Sequence, residues 1–237
     1  MKVLSVDSSS STASVAILED NKLLGEINFN YKKQHSVLLL TMIDTLLNSI
    51  SLDISEIDGF VISKGPGSFT GLRIGMATIK GLSFSSNKPF ISVSSLDALA
   101  RNIYGFSGII CPIMDALRDN VYTSLYKYEN ETLIQIMDYA SLSIDELIIH
   151  LKTYNKEVCF VGDATSLHKD KLMTQLPKVI FAPSDLNYIR AASLGVIGIN
   201  KLSNGENDDI NNSAPVYLIK SQAEREYDEK QLFLGHE

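Results

Sequence analysis

Gly65-Pro66-Gly67-Ser68-Phe69-Thr70-Gly71-Leu72-Arg73-Ile74-Gly75 is the stretch of this chain that could hold a phosphate. Its glycines and proline make a tight turn, and a helix follows. Successive backbone N–H groups at such a turn, backed by a helix start, form a nest for an anion. The spacing matches neither familiar phosphate loop. No Gly-x-x-x-x-Gly-Lys-Ser/Thr run is present, and in the Gly-x-Gly-x-x-Gly register Gly71 arrives one position late. Phe69 also stands where a phosphate would approach. The other use of such residues is close packing. Gly71, Gly75 and Ala77 let a second helix come near, from the same chain or from a partner. The residues alone leave both uses open.

Asp7 is the next candidate. It ends a first strand and precedes Ser8-Ser9-Ser10-Ser11-Thr12, a place suited to holding magnesium or its water shell below a phosphate. Asp115 ends the first strand of the second half in the same way. A cleft between the halves would bring both carboxylates to one ligand. Alternatively each caps its local turn. Arg118, in Asp115-Ala116-Leu117-Arg118-Asp119, could bind a carboxylate or phosphate, or form a surface salt bridge. The histidines offer no metal site. His35 is followed by Leu39 rather than a second histidine, and His150, His168 and His236 have no partner at i+4. Gly-x-Ser-x-Gly is absent, so no nucleophile elbow is formed.

The elements that must position these residues follow from hydrophobic period. Lys2 to Val6 reads as a buried strand, Ala13 to Leu18 and Leu23 to Phe29 as a hairpin. Ser36 to Ile50 switches to helix, with Leu39, Met42, Ile43, Leu46, Leu47 and Ile50 on one face. A strand at 58–63, a helix at 70–84 and a strand at 90–93 follow, then a capping box of Ser94 and Asp97 before a helix at 96–102. The order then repeats. Strands fall at 109–114, 121–128 and 133–138, a helix capped by Ser143 and Glu146 runs to Lys152, and strands fall at 158–161 and 179–181. Ser184 is expected to cap a long last helix ending near Asn204-Gly205. A meander followed by alternating helix and strand predicts mixed sheets with helices on their faces. The division is placed at 104/105, giving lobes 1–104 and 105–220 and a charged tail 221–237. Whether the last helix, about 185–203, packs on the second lobe or back on the first stays open. Ser203 to Ser213 is polar and reads as an exposed loop.

With 237 residues, 45% apolar composition and a net charge of -7, the chain reads as globular, and a bare basic nucleic-acid binder is excluded. Cys111 and Cys159 sit in apolar runs without zinc spacing, the pattern of buried reduced thiols in a cytosolic protein. No signal peptide and no run near ~18 apolar residues is seen. The expected location is the cytoplasm.

Asp7-Ser8-Ser9, Gln34-His35-Ser36, the long glycine motif with Ala77 and Lys80-Gly81-Leu82, Asp115-Ala116, Val121-Tyr122 and Pro215-Val216-Tyr217-Leu218 occur in one order along nearly the whole chain. In these the chain resembles the bacterial TsaB family of tRNA threonylcarbamoyladenosine biosynthesis proteins, also called YeaZ. Leu117 departs from it, standing where the family usually has a basic residue. The resemblance implies an actin/hexokinase/Hsp70-like α/β fold of two ribonuclease-H-like lobes. It implies an accessory, scaffolding role in forming N6-threonylcarbamoyladenosine at tRNA position 37, without catalytic activity, cofactor or metal. The implied partners are a TsaD-like catalytic subunit and a TsaE-like ATPase, with a homodimer when alone, mainly indirect tRNA contact and no membrane. Carried over, the partner interface comprises His35, Leu39, Met42, Thr70, Leu72, Arg73, Gly75, Met76 and Ile79. Gly65, Pro66, Gly67, Ser68, Phe69 and Gly71 form a structural turn, and Asp7, Ser8, Asp115 and Arg118 a vestigial nucleotide cleft. The rival readings are an ATP-dependent phosphotransferase of the same fold class and a peptidase.

Overall fold

The computed structural model describes residues 1–20, 22–30 and 35–219, and side chains except those at 35–37; the charged tail at 221–237 lies outside the described residues. Strands β1 (Lys2–Asp7), β2 (Ala13–Glu19) and β3 (Lys22–Phe29) form an antiparallel meander. Helix α1 (His35–Ser49) leads to β4 (Gly59–Ser63), which pairs parallel with β1. Helix α2 (Phe69–Ser86) leads to β5 (Phe90–Val93), parallel with β4, and the sheet order is β3-β2-β1-β4-β5.

After α3 (Ser95–Arg101) the pattern returns. β6 (Ile109–Asp115), β7 (Asn120–Glu129) and β8 (Thr132–Ser143) make a second meander. Helix α4 (Ile144–Lys152), β9 (Val158–Val161), α5 (Thr165–Gln175) and β10 (Val179–Phe181) complete a sheet of order β10-β9-β6-β7-β8. Helix α6 (Ala191–Ser203) then packs on the first sheet, where a Cβ at Gly195 would strike Leu18 and one at Gly198 would strike Val61.

Strand alternation divides the interior into layers. Leu4, Val6, Val15, Ile17, Phe60 and Ile62 meet Leu39, Met42, Ile43, Leu46 and Leu47 of α1 and Met76 and Ile79 of α2. Val3, Ala16, Leu18 and Val61 on the other face meet α3, α6 and residues of the second lobe, including Ile110, Met114, Tyr122 and Tyr126. Leu125, Leu147, Leu151, Phe160 and Leu172 fill the space between the second sheet and α4–α5. The middle core therefore belongs to both lobes.

Three local expectations change. The last helix starts at Ala191, not Ser184; Ser184–Leu186 is a short 3-10 turn. The caps of α6 are tertiary. Ser14 Oγ accepts the Ala191 N–H (2.8 Å) and Glu26 accepts the Ala192 N–H (2.9 Å) while also pairing with Arg190. Ser94 does cap α3, accepting from Leu96 N (3.2 Å), but Asp97 does not complete a box. Its carboxylate accepts the hydroxyls of Tyr126 (2.7 Å) and Tyr139 (2.8 Å), tying α3 to the second sheet. Finally α5 is a helix the periodicity does not announce, because only Thr165 and Leu172 of it are buried. The two cysteines are buried and unpaired, as their apolar runs suggest. Among the described residues no helix is long and apolar enough to cross a membrane.

Candidate partner face and lobe junction

The glycine turn packs on the loop that follows β1. A Cβ at Gly67 would strike the Ser9 carbonyl, and one at Gly71 the Ser8 carbonyl. Only glycine admits a backbone that close, and Gly67, at φ +156°, also uses its conformational freedom. Two of the turn's donors already have partners. Ser68 N–H donates to the Ser9 carbonyl (2.6 Å), and the Ser68 hydroxyl accepts the Gly71 N–H as the cap of α2 (3.3 Å). The Ser8 hydroxyl closes the contact by donating to the Gly71 carbonyl (2.8 Å). The close neighbour of Gly71 and Gly75 is thus this loop, not the second helix suggested by their spacing; Ala77 points to solvent.

Asp7 is fully buried beside this loop. One carboxylate oxygen accepts from the Ser9 hydroxyl (2.7 Å) and N–H (3.2 Å); the other has no hydrogen-bond partner. Burial pushes its pKa up to about 6, against the opposing pull of its serine hydrogen bonds. A linked set of hydroxyls, Ser9, Ser95 and Ser63, lies alongside.

Asp115 is exposed instead. Its carboxylate accepts from Leu117 N–H (2.8 Å), and its own N–H donates to Asp163 (3.0 Å). Leu117, Arg118 and Asp119 follow with φ of +66°, +55° and +61°, a left-handed turn built without glycine. Asp163 was not singled out by sequence, although it follows strand β9 and Gly162 much as Asp115 ends β6. Burial raises its pKa, and the nearby Asp115 charge raises it further. The cavity at the lobe junction, lined by Ser10, Leu99, Met114, Asp163, Asn187 and Tyr188, measures ≈ 10 Å³. That is room for about one water. The vestigial-cleft expectation is corrected accordingly: Asp7 is sealed inside the first lobe, Asp115 and Arg118 stand in solvent, and no interaction joins Asp7 or Ser8 to them among the described residues. Among the described residues no group of three or more His, Cys, Asp or Glu could hold a metal.

The expected partner face divides by burial. Leu39, Met42, Leu72, Met76 and Ile79 are between 0% and 4% exposed, and Gly75 is buried against Ser8. These belong to the lobe's own core, because α1 and α2 must bury one face against the sheet. Thr70 and Arg73 are exposed; the side chain of His35 lies outside the described residues. The residues α2 does present outward are Thr70, Arg73, Ala77, Gly81 and Phe84, at spacings of 3, 4, 4 and 3, followed by Ser85, with Leu40 exposed on α1. Nothing lies within 4 Å of a Cβ placed at Gly81. Most of the residues expected at the interface thus lie on the inner side of α1 and α2, while the outward set of α2 also repeats at helical spacing.

The family model for TsaD, tRNA N6-adenosine threonylcarbamoyltransferase, matches residues 22–227. The chain is 34% identical to the Bacillus subtilis tRNA threonylcarbamoyladenosine biosynthesis protein TsaB over 98% of its own length and 100% of that protein's. The chain belongs to the TsaB (YeaZ) family. The TsaB of Buchnera aphidicola from Acyrthosiphon pisum is 30% identical across 87% of this chain and 95% of that one. Among solved structures, a Pseudomonas aeruginosa protein described as similar to peptidase YeaZ superposes with a TM-score of 0.80 at 25% identity, covering 92% of this chain and 99% of that one. The fold is the two-lobed actin/hexokinase/Hsp70-like one of the TsaB family, with a mixed sheet in each lobe.

Proposed function

We propose that this chain is a non-catalytic subunit in the formation of N6-threonylcarbamoyladenosine at tRNA position 37, where it pairs with a TsaD-like catalytic subunit and activates it. Full-length similarity to TsaB proteins supports the pathway. The observation that carries the pairing is the outward side of α2. Thr70, Ala77 and Gly81 keep its middle small, with Arg73 and Phe84 exposed on its edge and Leu40 exposed on α1, a surface that lets another helix approach closely. The same face serves a homodimer in the isolated chain, since one patch can meet its own copy across a two-fold axis. A TsaE-like ATPase completes the assembly, tRNA is held mainly by the partners, and the site of action is the cytoplasm. The lobes divide near 104/105, with α6 returning to the first.

Met76→Arg cannot test this surface, because Met76 is core. Gly81→Arg can. The side chain enters open space in the free protein and stands between helices in the complex. The expected result is an equal or slightly higher melting temperature, since arginine is a better helix former than glycine, with loss of co-elution with the catalytic subunit. Retained co-elution places the interface elsewhere.

A further inference from the structure

Resting on that pairing, we propose that Tyr217, in the segment after α6, sets Arg73 to grip a carboxylate on the catalytic subunit. The segment runs back across the first lobe as a strap. Asp208 extends the edge of β5, donating its N–H to the Phe90 carbonyl (2.9 Å) and accepting the Ser92 N–H (2.8 Å). Ile210 packs on the α1–α2 core, the Ser213 carbonyl accepts the Lys80 ammonium, and Val216 N–H donates to the Lys64 carbonyl (2.8 Å). The polar run at 203–213 is therefore exposed along much of its length but anchored.

Tyr217 is where the strap meets the exposed side of α2. Its ring lies flat on Phe69, centroids 4.2 Å apart and planes 5° from parallel. Arg73 Nε–H donates to its hydroxyl (3.1 Å), and the guanidinium carbon stands 5.8 Å from its ring centroid. Phe69 and Arg73 are one helical turn apart, so a single strap ring is fixed by both.

An arginine held at Nε keeps its outer edge, the two Nη groups, aimed away from the anchor. That edge is the planar fork that takes a carboxylate bidentately. Among the described residues Arg73 has no acidic partner, and Lys80, its neighbour on the same flank, is already engaged by Ser213. The arrangement is a pre-oriented cation on the edge of the outward stripe of α2, whose other residues Thr70, Ala77, Gly81 and Phe84 carry no charge. Orienting it before docking removes part of the ordering cost that a free arginine would meet on binding.

The test is calorimetric titration of the full-length chain against the purified catalytic subunit, using wild type, Arg73→Ala, Arg73→Lys, Tyr217→Phe and the double variant. Tyr217→Phe keeps the stacked ring and removes the anchoring hydroxyl. The expected losses of affinity are about tenfold for Arg73→Ala and about threefold each for Arg73→Lys and Tyr217→Phe. In the Arg73→Ala background Tyr217→Phe adds nothing, because the group it positions is gone. Additive effects, or wild-type affinity for Arg73→Ala, overturn the proposal while leaving the pairing intact. So does a loss confined to self-association, which assigns Arg73 to an acidic group of a second copy, Asp44 being exposed on α1. Failure of the wild type itself to bind overturns the pairing first. Melting curves of each variant separate these outcomes from a displaced strap, and Arg73→Lys, whose stem and charge are kept, still decides the matter if Tyr217→Phe lowers the melting temperature.

Discussion

β1 and β6 occupy the same place in their sheets and each ends in aspartate, but Asp7 is fully buried and Asp115 stands in solvent. The difference lies in the helix that follows the next parallel strand. In the first lobe the repeated glycines bring the start of α2 down onto the Ser8–Ser9 loop. In the second lobe Gly162 alone makes the close approach, against the Ile113 carbonyl of β6, and the loop after β6 stays open as a left-handed turn. The outer sides of these helices differ too. α5 turns Lys169, Asp170, Lys171 and Gln175 outward, a mostly charged and polar face on which Leu167 and Met173 also stand exposed. α2 turns out Thr70, Arg73, Ala77, Gly81 and Phe84. The same fold thus carries two differently composed outer helix faces, and the proposed pairing assigns the one on α2 to another helix.

The largest expected effect contrasts a charge placed on the inner side of α2 with one on the outer side of α4. Met76→Arg buries an unpaired cation in the first lobe and is expected to lower stability by about 4 kcal/mol or more, read by chemical denaturation. Ile149→Arg, on the exposed side of α4, is expected to change it by less than about 0.5 kcal/mol. Equal effects would mean that Met76 is not part of the first lobe's core and that the inner side of α2 is free to serve as an interface.

The glycines of α2 give the next contrast. Gly71→Ala must push the Ser8 carbonyl away and is expected to cost about 2–4 kcal/mol. Gly81→Ala meets nothing and is expected to stabilise by up to about 1 kcal/mol through helix propensity. A neutral Gly71→Ala would show that the loop gives way easily.

Asp7 supplies a pH-dependent arm. Its folded pKa is raised from 3.8 to about 6, so the native state holds a proton that the unfolded chain has lost between those values. Stability is therefore full below pH 4, falls as pH rises through 6, and stays lower above it. Asp7→Asn removes that fall. Its advantage over wild type should be near zero below pH 4 and reach about 2–3 kcal/mol above pH 6. Parallel stability curves for wild type and Asp7→Asn across pH 4–7 would contradict the burial of an unpartnered carboxylate.

Much of the fold was legible because strands and helices obey simple periods. The apolar face at Leu39, Met42, Ile43, Leu46 and Leu47 is buried as its spacing predicts. Errors arose where distant residues decided the outcome. The start of α6 is fixed by Ser14 and Glu26, more than 160 residues away in sequence. Asp97 serves two tyrosines of the other lobe rather than its own helix. For the expected partner face, large apolar residues such as Leu72 and Met76 suggest an interface, yet a helix lying on a sheet needs them for its own burial, and both are buried. The strap contact between Tyr217 and Arg73 joins residues 144 apart and has no local signature.

The central claim is that the outward side of α2 recruits the catalytic subunit. It is tested most directly by measuring threonylcarbamoylation of tRNA in a mixture of catalytic subunit, ATPase and adenylate-forming enzyme with threonine, bicarbonate and ATP. Wild-type chain, Gly81→Arg chain and no chain are compared. The account predicts product with wild type and little with Gly81→Arg or with none, the variant remaining folded. Equal product without the chain, or undiminished product with Gly81→Arg, would contradict it.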